Sequence, residues 1–237
     1  MNAAFLGALG LVLARAQLGV EPVAECVRSD QADDRGVIVV HRAGWNGDLG
    51  GLRGRRFGFV DRGSAAGYLF PLVYFRERGV DDPARFFGRV FYAGSHDLLF
   101  QEVARGGLDG GAGRESVLRE LTAEQPRLAK TIAVIARSGP LPGETFVLAP
   151  NLKFPCFKCH DLVPSERLKT SLRLPRQPKD LKTLLSQLLL GLHDSPEGAS
   201  VLAALGAERF VEPDPARWRS VLELLERAGI NPEQYHP

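Results

Sequence analysis

The segment Phe57 to Pro71, FGFVDRGSAAGYLFP, constrains the fold of this chain more than any other. Residues Arg56 to Val60 alternate in polarity and end on Asp61. The turn Arg62-Gly63 follows, and Ser64 sits where a helix N-cap belongs, ahead of Tyr68, Leu69, Leu72 and Val73 at helical spacing. The pattern predicts a strand that runs through a glycine turn into a helix. The first N–H groups of such a helix are unpaired and lie at the positive end of its dipole, so an oxyanion can bind there with modest side-chain help. The same order recurs at Val90 to Phe100, VFYAGSHDLLF, with Ser95 at the second helix start. Most strand-serine-helix junctions only cap a helix, but two in one α/β lobe can converge on a single ligand.

The rest of the chain alternates in the same way. Strands are predicted near Ala3 to Leu6, Pro22 to Val27, Val37 to Arg42, Gly110 to Ala112, Ile132 to Ala136 and Thr145 to Ala149. Helices are predicted near Leu9 to Leu18, Ala65 to Gly79, His96 to Arg105, Arg114 to Leu121, Leu181 to Leu192, Pro196 to Leu205 and Pro215 to Ala228. This alternation implies a largely parallel α/β architecture. With 44% hydrophobic and 24% charged residues in 237, the chain has the balance of one large domain or two small lobes. A net charge of +2 argues against an extended nucleic-acid surface. No apolar run is long enough to span a bilayer. Ala3 to Ala14 invites a reading as a signal peptide, because Ala14-Arg15-Ala16 has small-x-small form, but it lacks a positive leading region.

A separate signal is Cys156-Phe157-Lys158-Cys159-His160. Cys-x-x-Cys-His is the attachment pattern of c-type haem, in which Cys156 and Cys159 bind the porphyrin covalently and His160 ligates the iron. A disulfide or a metal half-site is the competing use of the pair, and Cys26 is left over either way. No nucleophile with a base and an orienting group stands out, and no carboxylate pair, which points away from an enzyme.

Asp61 to Pro71 together with Phe91 to Asp97 resembles the periplasmic phosphate/phosphonate-type solute-binding proteins of ABC importers. LARAQLGVEPVA (Leu13 to Ala24), Val37 to Arg42, Leu52 to Arg56, RGGLDGGA (Arg105 to Ala112), VIARSGPLP (Val134 to Pro142) and HDSPEGASVLAAL (His193 to Leu205) resemble that family in the same order. The resemblance implies a type II periplasmic-binding-protein fold with two lobes and a hinge. It divides the chain into residues 1–54 as the remainder of an incomplete lobe 1 and 55–138 as lobe 2. Residues 139–237 then form the hinge return and the C-terminal part of lobe 1, with an insertion at 153–177. It implies ligand contacts from Ser64, Ala65, Ala66, Gly67, Tyr68, Ser95, His96 and Glu144. Where the family carries two further hydroxyl residues after the first serine, this chain has Ala65 and Ala66, and Glu144 stands where relatives often place an aspartate that meets a ligand amine. The implied function is capture of a small oxyanion of phosphate, phosphite or phosphonate type for a membrane permease, with no cofactor needed for binding and a periplasmic or cell-envelope location. The alternative is a haem-bearing sensory or electron-transfer module on the same fold.

Overall fold

A computed structural model describes residues 2–28, 34–150 and 178–237. The Cys156, Cys159 and His160 pattern and the 153–177 insertion lie outside the described residues. Nine strands, β1 (Ala3–Leu6), β2 (Glu21–Val27), β3 (Asp34–His41), β4 (Arg56–Phe59), β5 (Arg89–Tyr92), β6 (Gly110–Arg114), β7 (Ile132–Leu141), β8 (Thr145–Leu148) and β9 (Arg209–Val211), are described in two sheets. The α-helices described are α1 (Ala8–Leu18), α2 (Phe70–Arg76), α3 (Pro83–Phe86), α4 (His96–Ala104), α5 (Glu115–Glu124), α6 (Pro126–Thr131), α7 (Pro178–Leu190), α8 (Pro196–Ala204) and α9 (Arg219–Arg227).

The first sheet has the order β1-β8-β2-β9 and is antiparallel throughout; the second has the order β5-β4-β6-β3-β7. In the second, β4 runs parallel to β5 and β6, whereas β3 is antiparallel to both β6 and β7. The sheets are therefore less parallel than the alternation of strands and helices implied. The segments that leave one sheet and return to it lie side by side in opposite directions, and hydrophobic patterning carries no information on strand direction. The changeover between sheets falls between β2 and β3 and again between β7 and β8, so Val37 to Val40 belong to the second sheet.

Burial explains the strand choices. Val37, Ile38, Val39 and Val40 are at most 1% exposed, as expected of a continuous apolar run covered on both faces. Its neighbour β6, with sequence GGAGR, is nearly bare of side chains: a Cβ at Gly111 would lie 2.9 Å from Leu99 Cδ2. That bareness lets the buried Leu99, Phe100 and Val103 of α4 pack on the sheet. Phe57, Phe59, Phe75 and Phe87 form an aromatic cluster, with Phe57 stacked on Phe87 at 4.5 Å between ring centres.

The lobes share one apolar cluster. It includes Leu9, Leu11 and Leu13 of α1, Phe70 and Val73 of α2, and Val221, Leu224 and Leu225 of α9. Helix α9 is also tied to α2 by the Arg227–Glu77 ion pair and by Arg76 donating to the Ala228 carbonyl. Beyond α9 the chain bridges the lobes a second time. Gln17 of α1 donates to the carbonyls of Pro232 and Tyr235, both at 2.8 Å, while the Tyr235 hydroxyl donates to the Arg62 carbonyl of the other lobe at 3.0 Å.

Candidate functional site: an arginine-lined cleft between the lobes

The start of the helical segment after β4 is set by Ser64. Its Oγ accepts from the Gly67 N–H at 2.9 Å, and the Tyr68 and Leu69 N–H groups both reach the Ser64 carbonyl, which opens the first turn over Ala65–Leu69 to a wide π-type turn. Gly67 is required by close approach: a Cβ there would lie 2.6 Å from Val60 Cγ2 and 2.7 Å from Val60 Cβ. Across the cleft, β1 runs through Gly7, the N-cap of α1, which carries no side-chain cap. Two helical starts, one per lobe, thus face one cavity of about 40 Å³.

Gly7 and Ala8 line that cavity from one side and Gly63, Ser64, Ala65 and Ala66 from the other; Asp34, Arg35, Arg114, Leu141 and Pro142 complete it. About 10–15 Å³ suffices for one water, so the space suits a few waters or one small tetrahedral ion. Arg35 extends from the start of β3, where its Nη1 donates to the Ser138 carbonyl at 3.0 Å. Arg114, at the end of β6, reaches across the cleft: a Cβ on Gly7 would stand 3.7 Å from its Nη2, and its Nη1 lies 3.9 Å from Glu144 Oε1. Two arginines and the starts of two helical segments thus line the cavity together with one carboxylate residue, Asp34, a balance that leaves its charged lining net positive.

Of the residues singled out in the sequence, Ser64, Ala65 and Ala66 line the cavity. Gly67 sits behind them, buried against Val60. Tyr68 packs edge-on to Phe59 at 5.2 Å and borders Tyr92 and Tyr235 beside the cleft; burial raises its hydroxyl above the usual tyrosine range. Ser95 caps α4 by accepting from the Leu98 N–H, and neither it nor His96 lines the cavity. Glu144 also lies off the lining and is held between two arginines, with Arg28 at 3.1 Å and Arg114 at 3.9 Å. Sequence reading missed Gly7, Asp34, Arg35 and Arg114 as site residues. The signal for Gly7 was present, since AFLGALG repeats the strand-glycine-helix order of the other two junctions.

His96 acts on the cavity through Arg114. Its Nδ1 accepts from the Arg114 N–H at 3.1 Å, so the ring is neutral, and burial together with the Arg114 charge lowers its pKa to about 4. An unfolded chain binds this proton near 6.5, so on acidification the unfolded state is protonated first. Stability is therefore lost progressively as pH falls from 6.5 to 4, by on the order of 2–3 kcal/mol. Replacing His96 with glutamine, which keeps an acceptor but does not titrate, is expected to flatten that limb in urea unfolding curves. An unchanged limb would assign it to other groups.

Two α/β lobes thus share one apolar cluster and leave a polar cleft between them. The chain belongs to the family described as ABC transporter, phosphonate, periplasmic substrate-binding protein, whose match spans residues 1–218. Among solved structures it is similar to XAC2383 from Xanthomonas citri bound to chloride ion, with TM-score 0.72 and 18% identity over 97% of this chain and 77% of that one. A binding protein component of an ABC phosphonate transporter from Pseudomonas aeruginosa gives TM-score 0.72 and 21% identity over 96% and 68%. PhnD1 from Prochlorococcus marinus in complex with methylphosphonate gives 0.71 and 18% over 97% and 79%. No helix among the described residues is long and apolar enough to cross a membrane.

Proposed function

We propose that this chain captures a small tetrahedral oxyanion of the phosphate or phosphonate type in the interlobe cavity and presents it to the membrane permease of an ABC importer. The observation that carries this reading is the convergence of Arg35, Arg114 and two helix starts on a space of about 40 Å³. Ala65 and Ala66 offer only backbone N–H groups where the family pattern has hydroxyls. The two guanidinium groups make up for them, because charge-assisted bonds to an oxyanion are roughly twice as strong as neutral ones. Ser64 retains its O–H for donation, since its oxygen serves the Gly67 N–H only as acceptor. Membership of a periplasmic substrate-binding family supports the location and the permease partner.

Thermal unfolding in the presence of phosphate, methylphosphonate and 2-aminoethylphosphonate tests the proposal. A bound anion at about a hundred times its Kd adds about 2.7 kcal/mol of stability, which for a chain of this size raises Tm by roughly 5–10 °C. If none of the three raises Tm, the cavity does not capture these anions.

A further inference from the structure

Beyond α9 the chain folds back around Asn231, whose carbonyl accepts from the Gln234 and Tyr235 N–H groups, both at 3.1 Å, and whose Oδ1 accepts from the Glu233 N–H at 3.0 Å. Asn231 to Pro237 is therefore a compact strap. Gln17, in the last turn of α1, holds it to the first lobe, with Nε2 donating to the Pro232 and Tyr235 carbonyls at 2.8 Å each. Tyr235 holds it to the second. Its ring packs against the shared apolar cluster and its hydroxyl donates to the Arg62 carbonyl at 3.0 Å. Burial pushes that hydroxyl well above the usual tyrosine range, so it keeps its proton and remains a donor. The Arg62 carbonyl belongs to the turn that delivers Gly63 and Ser64 to the cavity, closed by the Ser64 N–H on the Asp61 carbonyl at 3.2 Å and the Gly63 N–H on Asp61 Oδ1 at 2.8 Å. Pro237 lies against the same turn: a Cβ on Gly63 would stand 3.8 Å from its Cβ.

We infer that this strap is a latch on the cleft, with Tyr235 the positioning residue that ties the Ser64 turn of one lobe to α1 of the other. The lobes cannot part at this point without breaking either the Tyr235 bond to Arg62 or both Gln17 bonds to the strap. While these hold, Gly63 and Ser64 stay opposite Gly7 and Ala8, the start of the helix whose last turn carries Gln17. Tyr235 does not line the cavity, so it acts on an anion only through that turn. The latch slows the escape of a captured anion, a consequence that rests on the oxyanion-capture reading above; its hold on the lobes does not depend on that reading.

The test uses the full chain with Tyr235→Phe, with Gln17→Ala and with both. Tyr235→Phe keeps the ring and removes only the donor. It is expected to speed phosphate release, read by phosphorus magnetic-resonance exchange, by roughly 2- to 10-fold, the value of one neutral hydrogen bond. Gln17→Ala breaks the same bridge from the other lobe, so the effects should not add: the double variant should release phosphate within about twofold of the faster single one. Small-angle scattering of the unliganded double variant should give a larger radius of gyration than the original chain. A strap that only stabilises the fold would lower Tm and leave release rate and radius unchanged, which would overturn the latch, as would additive effects of the two substitutions. Should Tyr235→Phe fail to fold, Gln17→Ala decides the matter by the same release rate and radius. If the original chain binds no phosphate, oxyanion capture is overturned and the radius of the unliganded variants alone judges the latch.

Discussion

Replacing Arg114 with glutamine is expected to weaken phosphate or methylphosphonate binding by roughly 10- to 100-fold, the value of a charge-assisted hydrogen bond held in a partly dry site. Arg114 is the cavity arginine whose guanidinium spans the cleft, close to Gly7 of one lobe while its backbone belongs to the other. Its side chain is 22% exposed, and its backbone N–H is fixed by His96, so it is presented to the cavity without a large ordering cost. Glutamine keeps part of the stem and one donor but removes the charge. The Glu144 carboxylate keeps Arg28 at 3.1 Å as its nearer partner, so the unliganded protein should lose about 1 kcal/mol or less. Calorimetric titration checks the affinity and thermal unfolding the stability. An Arg114→Gln protein that binds phosphate as tightly as the original removes Arg114 from the site, while one that simply melts would show the cross-cleft contact to be structural.

The second large effect concerns the wall on which the cavity is built. Phe57→Ala is expected to cost about 3–5 kcal/mol in denaturant unfolding, because the ring is fully buried and its removal opens a void that the sheet cannot close. Phe57 is stacked on Phe87 and meets Phe59 and Phe75 edge-on, each at 5.2 Å between ring centres. Its ring also rests on the bare backbone of Gly110, where a Cβ would come within 3.2 Å. A measured loss below about 1 kcal/mol would mean that the cluster repacks and that the burial of Phe57 is not what anchors β4.

Local structure was legible wherever a side chain speaks for its own neighbourhood. Ser64 capped its helix as expected, Ser95 did the same for α4, and Ser195 and Asp214 accept from N–H groups two or three residues on, each ahead of a proline. Segments with little apolar signal escaped: β9 has only three residues with Phe210 alone buried, and α3 and α6 each begin on a proline and run six residues or fewer. The length of β7 was also hidden, since the predicted strand stopped at Ala136 whereas Ser138, Gly139 and Pro140 continue it, with Ser138 Oγ accepting from the Gly36 N–H at 2.8 Å.

The amino-acid sequence by itself determined that this chain folds as strands leading through glycine and serine into helices, and its motifs identified the family. Those are properties of short stretches, where spacing, caps and burial are set by neighbours along the chain. Only the tertiary structure decided which helix starts face each other. It paired Ser64 with Gly7 rather than with Ser95, turned His96 into a support for Arg114, and brought Asp34, Arg35 and Arg114 from separate strands to one cavity. It also drew Gln17 to Tyr235, 218 positions away. The physical reason is that a charged cleft is made by strand order and lobe packing, and both depend on contacts between residues that the chain itself keeps far apart.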